Sequence, residues 1–234
     1  MSEFDAYKDT YRDEVEQSIG FIGQGLDYFI EAKARALLDL AERRLGAPDG
    51  LTALDVGCGT GQTDRFLDGR FAELVGVDPS PASLERAREL NPSVRYLVGD
   101  GRAIPLDEAS VDVAFAICVM HHVPTADWDA VAGEMRRVVR PGGLVAIFEH
   151  NPYNPLTRRA VSSCVFDEDA VLLSRRRAAR LLRSAGLDVA EQRYILFVPG
   201  GGSRVAFFER LLAGVPVGAQ HYVAGRVPVS AAGP

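Results

Sequence analysis

The stretch that most constrains this chain is Asp55-Val56-Gly57-Cys58-Gly59-Thr60-Gly61, which completes the apolar run TALDVGC at residues 52–58. The run reads as a strand, and it passes directly into closely spaced glycines. Glycine has no Cβ, so a backbone turn of this kind can approach a ligand closely. A nucleotide cofactor is the first candidate. The dinucleotide fingerprint G-x-G-x-x-G, counted from Gly57, requires glycine at position 62, but Gln62 stands there and the third glycine comes one residue early. The spacing therefore argues against a dinucleotide seated on a helix N-terminus.

The rest of the chain alternates apolar strand-like runs with amphipathic stretches, the pattern of a mostly parallel sheet covered on both faces. Residues 27–45 carry Phe29, Ala32, Ala36, Leu37, Leu40 and Ala41 at helical spacing, and Gly46, Pro48 and Gly50 end that helix. Strands are predicted at 73–78, 93–100, 110–119, 143–150, 192–199 and 219–227. Helices are predicted at 80–90, with Ser80 as cap and Pro81 at the first position, at 127–139 and at 174–186. The run SVDVAFAICV is apolar almost throughout, as for a strand buried on both faces. VAFFERLL, between the last two strands, is a short amphipathic piece. With TALDVGC the strands number seven, and one domain over 27–234 is the economical reading. Residues 1–26 form an appendage.

The second strand ends in Asp78-Pro79 and the third in Asp100-Gly101-Arg102. An acid after the second strand can accept hydrogen bonds from both ribose hydroxyls. An acid after the third can accept one from an exocyclic amine such as adenine N6. The carboxyl ends of the first three strands thus carry a glycine loop, an acid and an acid, where a doubly wound sheet binds its ligand.

LDVGCGTG, VGVDPS, VGDG, VDVAFAICVMHHV and RVVRPGG, in that order, resemble a class I S-adenosylmethionine-dependent methyltransferase. The resemblance is strong over residues 28–150 and extends to the whole chain in architecture. It implies a Rossmann-like, doubly wound α/β fold with seven strands, the last antiparallel, and S-adenosylmethionine as cofactor. It also implies that Gly57, Cys58, Gly59 and Gly61 meet the methionine moiety, that Asp78 and Pro79 meet the ribose, and that Asp100, Gly101 and Arg102 meet adenine. By the same likeness Asp55 reaches the methionine ammonium and Cys118 lies beside the cofactor. Segments such as residues 1–26 form a helical lid in similar enzymes, which makes Tyr11 and Arg12 candidates for the cofactor carboxylate.

Methyl transfer needs alignment, exclusion of water and, for some acceptors, removal of a proton. Two of the four histidines, His121 and His122, stand together at the end of the fourth strand. Neighbours in an extended segment face opposite ways, so at most one is a base, and His122 is preferred. For the same reason, and with no acidic partner evident, no metal is assigned. Glu149, His150 and Tyr153 follow the fifth strand and are candidate substrate contacts. A (D/N)PP(Y/F/W) signature is missing after the fourth strand, which disfavours adenine-N6 or glutamine acceptors. The reading is a methyltransferase of a small molecule, with O-methylation preferred to N or C, in bacterial secondary metabolism. A methyltransferase of RNA or protein is the alternative within the fold. A nicotinamide-dependent oxidoreductase or a non-catalytic cofactor-binding module is the alternative outside it.

The net charge of −6 weighs against a broad nucleic-acid surface, and RRRAARLLR has the apolar spacing of an ordinary amphipathic helix. Three widely spaced cysteines form no zinc or disulfide pattern, and the acidic start MSEFDAYKD is no signal peptide. No apolar run approaches the roughly 20 residues that span a bilayer. A cytoplasmic protein is expected.

Overall fold

The computed structural model describes residues 11–167, 169–197, 212 and 214–229, with backbone only for Tyr11 and Phe166. The expected side-chain role of Tyr11 and most of the amphipathic piece at 205–212 fall outside the described residues, as does the end of the strand expected at 192–199.

The strands are β1 (Thr52–Val56), β2 (Glu73–Asp78), β3 (Arg95–Val98), β4 (Val111–Ile117), β5 (Val139–His150), β6 (Asp188–Ile195) and β7 (Gln220–Arg226). They form one sheet in the order β3-β2-β1-β4-β5-β7-β6. The pairs from β3 through β5 are parallel, and β7 runs antiparallel to both neighbours. The sequence order reverses between β1 and β4, so the ligand crevice of a doubly wound sheet falls at their carboxyl ends.

The helices are α1 (Tyr11–Ile19), α2 (Leu26–Leu45), α3 (Pro81–Leu90), α4 (Trp128–Val138), α5 (Pro155–Ser162) and α6 (Arg175–Ser184). Along β4, Ala114 and Ala116 join a core with α4 and α6, while Val113, Phe115 and Ile117 join a second core with α2 and α3. This period-two division explains the unbroken apolar run, since both faces of β4 are covered. Ser80 caps α3 by accepting from the Ser83 N–H, with Pro81 at the first position as the sequence predicts.

Three local expectations change. Strand β5 begins at Val139, four residues before the strand expected at 143–150, so Arg140-Pro141-Gly142-Gly143 lies within it. Gly142 has φ +85°, and a Cβ on Gly143 would stand 2.5 Å from the Asp112 carbonyl, so glycine lets the chain enter the sheet against β4. Residues 151–159, where no helix is predicted, contain the start of α5. Asn154 caps it by accepting from the Leu156 and Thr157 N–H groups, and Pro155 takes the first helical position. Strand β6 begins at Asp188, four residues early, because pairing with β7 sets its limits rather than its apolar content. Among the described residues no helix is long and apolar enough to cross a membrane.

Candidate active site

The glycine turn closes on itself at the end of β1. The Gly57 and Cys58 N–H groups donate to the Val77 carbonyl at 2.7 and 3.1 Å. Gly57, Gly59 and Gly61 have φ of +79°, +53° and +72°. A Cβ on Gly57 would lie 2.6 Å from Val119, and one on Gly61 would lie 2.5 Å from Asn91 Nδ2. At Gly59 nothing stands within 4 Å, so the middle of the turn faces open space. One oxygen of Asp78 accepts from the Gly59 N–H and the other from the Ser80 N–H, both at 2.9 Å. Each oxygen retains acceptor capacity. Pro79 is exposed beside it, and Cys58 is buried, its thiol pushed up chiefly by burial.

Asp100 is exposed and closes a small turn, accepting from the Arg102 and Ala103 N–H groups. The Arg102 guanidinium bonds to it at 2.8 Å and holds its carboxyl below the usual range. Gly101, at φ +75°, lies against Val56 and Val131. The three strand tips expected to hold a cofactor are therefore contiguous. They present a bare glycine, a carboxylate anchored on backbone and an exposed carboxylate, a set that suits the methionine, ribose and adenine parts of S-adenosylmethionine.

Asp55 is placed differently from the expectation. It is 3% exposed, and its carboxyl is pushed up by burial first and by the adjacent Asp64 second. Asp64 is itself fully buried and lifted by burial to about 6. One Asp64 oxygen accepts from the Tyr96 hydroxyl at 2.8 Å, and the other has no N–H or O–H donor within reach. The donor it can find is a proton held on Asp55. Two carboxyls sharing a proton replace a free anion for an ammonium. Asn91 Nδ2 ties this network to the turn by donating to Tyr96 Oη and to the Gly61 carbonyl, both at 2.9 Å.

Arg12 on α1 bonds to Asp27 at 3.0 Å and reaches Gln62 behind the glycine turn at 3.5 Å; Arg65 bonds to the same Asp27 oxygen. A cofactor carboxylate at Arg12 would have to compete with Asp27.

The end of β4 carries the second half of the site. Cys118 has φ +57°, and its N–H donates to Phe148 across to β5. Burial opposes ionisation of its thiol, but Lys33 and His150 outweigh it and bring it down to about 7. The Lys33 ammonium, buried on the inner face of α2, donates to Cys118 Sγ at 3.4 Å.

His121 is 2% exposed. Its Nδ1 lies 2.7 Å from Glu149 Oε2 and its Nε2 lies 3.3 Å from Asp167 Oδ1. Burial works against a charged ring, yet the two carboxylates outweigh it and raise His121 to about 10. Its partner Glu149 falls to about 2 despite burial. His121 is thus an imidazolium clasped on both sides, which corrects its candidacy as base. His122 keeps 23% of its side chain exposed, and burial followed by the His121 charge lowers it to about 4. Glu149 is wholly buried under His121 and does not reach a substrate, and Tyr153 is 63% exposed on the surface, away from the cavity. His150 does line the cavity.

That cavity has a polar floor of Cys118, His121, His122, His150, Asp167 and Gln220. Its walls are apolar, with Val15 and Ile19 from α1, Leu26 and Phe29 from α2, and Val161 from α5. Lys33, Asp64, Asp167 and Gln220 were not singled out from sequence. Lys33 had a signal, a lone cation on the apolar stripe of α2. Asp167 had none, because it sits on a short turn, Val165–Asp167, with no periodic pattern.

A family described as "Methyltransferase domain" matches residues 54–147. Malonyl-[acyl-carrier protein] O-methyltransferase of Serratia marcescens is 35% identical over 49% of this chain and 46% of its own length. Trans-aconitate 2-methyltransferase of Azoarcus sp. is 36% identical over 56% of this chain and 51% of its own. The chain thus spans about half the length of these curated relatives. In fold it is similar to a Thermotoga maritima S-adenosylmethionine-dependent methyltransferase, a possible histamine N-methyltransferase, with TM-score 0.67, 21% identity and coverage of 95% and 97% of the two chains. The ordered motifs, the reversal of strand order at the glycine turn and the family match over 54–147 identify in this chain a methyltransferase domain of the class I, S-adenosylmethionine-dependent type.

Proposed function

We propose that the chain transfers a methyl group from S-adenosylmethionine to a small-molecule acceptor held in the cavity between α1, α2 and α5, with oxygen as the preferred acceptor atom. The observation that carries this reading is the cavity's polarity, apolar walls over a floor of histidines and Cys118, whose neighbour Val119 lies against Gly57 of the glycine turn. A macromolecular substrate would need a broad open face, whereas this pocket is roofed by the 11–26 segment and suits a compact acceptor with one polar end. When bound, S-adenosylmethionine supplies an electrophilic methyl group and needs no further activation.

The chain's own residues then have four tasks. Gly59 opens the turn to the methionine part, Asp78 receives the ribose hydroxyls, and Asp100 takes the adenine amine. Residues 1–26 act as a lid on a domain of 27–234, keeping water from the acceptor. Lys33 fixes Cys118 at the junction of the two halves. Of the two histidines, His122 has ring surface open to the cavity and, held neutral, orients a hydroxyl acceptor by accepting its hydrogen bond. Supporting the oxygen preference, one relative carries O-methyltransferase in its name. A reducing, cytoplasmic setting accords with the three cysteines, which form no disulfide, and secondary metabolism would supply varied acceptors of this kind.

Calorimetric titration with S-adenosylmethionine, S-adenosylhomocysteine and NAD tests the cofactor. Release of S-adenosylhomocysteine over a panel of phenols, hydroxy acids, carboxylic acids and amines tests the acceptor. Binding of NAD but not S-adenosylmethionine would overturn the reading. Transfer to RNA or protein with none to the panel would move it to a macromolecular substrate.

A further inference from the structure

Donor atoms of His121, His150 and Asp167 all lie within 4.8 Å of one another on the cavity floor. The simplest account is an ion pair, with His121 held between Glu149 and Asp167. That account leaves out His150. Its ring centroid lies 5.1 Å from that of His121, with the planes tilted by 56°, so it converges on the same carboxylate from another strand. Two histidines and a carboxylate from three separate segments thus converge, a donor set that can hold a divalent ion.

The backing of each ring points the same way. A metal-bound histidine characteristically donates its other N–H to a carboxylate or amide, which fixes the tautomer. Behind His121, Nδ1 faces Glu149 at 2.7 Å, which leaves Nε2 directed at Asp167. Behind His150, Nδ1 faces the Gln220 amide at 3.3 Å. Gln220 is 5% exposed, and its Oε1 has no hydrogen-bond partner among the described residues. Turning this amide end for end brings Oε1 onto His150 Nδ1–H and leaves the second nitrogen of His150 outside the contact with Gln220. Amide orientation is set by its hydrogen bonds, so the orphaned oxygen favours the turned form.

The spacing fits as well. Ligand bonds of about 2.0–2.1 Å put the edges of a tetrahedron near 3.3–3.4 Å. His121 Nε2 and Asp167 Oδ1 are 3.3 Å apart. Asp167 lies on a short turn outside the sheet, so it is the ligand able to close the remaining distance to His150.

We infer that His121, His150 and Asp167 form a site for a divalent transition-metal ion of the zinc or iron(II) type, braced by Glu149 and Gln220 and open toward the acceptor cavity. Two histidines and one carboxylate make an incomplete coordination shell, as sites that also admit a substrate do. Binding requires a bare nitrogen, so the Nε2 proton of His121 leaves to solvent as the ion enters. The open positions suit an acceptor bearing a carboxylate or hydroxyl oxygen beside His122. This last point rests on the methyl-transfer reading; the metal site itself does not.

The test is titration of Co2+ into tag-free protein previously stripped with chelator, followed by visible absorption. One equivalent should give saturable bands of a nitrogen- and oxygen-ligated ion. His150→Gln and Asp167→Asn should each abolish saturation in the same range. Glu149→Gln should weaken affinity about 10–100-fold while leaving the bands. Circular dichroism melts of each variant separate lost binding from lost fold, and Cys118→Ser should retain the bands. No saturable signal in the folded wild type overturns the site, as does a signal that survives both ligand substitutions. A strong thiolate charge-transfer band lost in Cys118→Ser overturns this donor set. Calorimetry with S-adenosylmethionine on the same stripped protein keeps the two readings apart. Cofactor binding without Co2+ binding defeats only the metal site, and the reverse defeats only the methyl-transfer reading.

Discussion

Two buried polar networks lie behind the two halves of the site, and they handle charge in opposite ways. Under the glycine turn, Asp55 and Asp64 are both acids; burial pushes both upward, the Asp64 charge adds to the rise at Asp55, and they hold a proton between them. Under the cavity, His121 meets Glu149 and Asp167, so unlike groups ionise one another in spite of burial. The first network is anchored to neutral partners, Tyr96 and Asn91, and holds a backbone turn in shape. The second is anchored to charge and holds an imidazole in place. A buried acid is tolerated in either company, but it stays neutral in one and becomes a strong anion in the other.

The sharpest way to break this contrast is to remove one partner of the charged network. Glu149→Ala leaves the His121 ring buried with only the longer contact to Asp167. A loss of about 3–5 kcal/mol in urea unfolding is expected, the usual cost of stranding one member of a buried pair. A loss below about 1 kcal/mol, on the scale of an exposed pair, would mean that His121 is not charged there. Next in size is the turn that the neutral network supports. Gly61→Ala brings a Cβ to 2.5 Å from Asn91 and 2.7 Å from Tyr96 Oη at φ +72°. Backbone strain and overpacking together should cost roughly 2–4 kcal/mol. Gly59→Ala meets nothing within 4 Å, so only strain of about 1–2 kcal/mol is expected, with S-adenosylhomocysteine affinity reduced at least about tenfold. Normal affinity in Gly59→Ala would show that the open side of the turn does not face the cofactor.

The two networks also differ in how far the sequence betrayed them. Asp55, the glycines, Asp78 and Asp100 belong to contiguous motifs at strand ends, and periodicity located those ends within a few residues. The sheet order followed from the same alternation of strand and helix. The histidine network draws on three separate segments. Parallel pairing of β4 with β5 puts the Cys118 N–H on Phe148, which is what brings Glu149 beneath His121. Reading both histidines as neighbours on an extended strand failed because Cys118, at φ +57°, ends the strand first; the His122 N–H then bonds back to Val119 in a turn. Helix α5 was hidden by its prolines, although Asn154-Pro155 is a cap followed by a first-turn proline. Asp167 stood in CVFDED, where nothing local distinguishes it from its acidic neighbours.

The smallest expected effect probes the acid pair directly. The Asp64 carboxyl is raised from an ordinary 3.8 to about 6. A group whose folded value lies above its unfolded one adds stability below the unfolded value and loses it as pH rises through the folded value. The pair should therefore favour the fold near pH 4 and weaken it between about pH 4 and 6, the window of the cited shift. Asp64→Asn keeps an oxygen for the Tyr96 hydroxyl and offers Asp55 an N–H that needs no shared proton. At pH 8 the variant should gain about 1–2 kcal/mol over the wild type in urea unfolding, and near pH 4 the two should agree closely. The decline of wild-type stability across that window should shrink in the variant. An Asp64→Asn protein less stable at pH 8, with the wild-type pH slope unchanged, would show that Asp64 is held as an anion. The two networks would then be alike in their charge, and the contrast between them would rest on their partners alone.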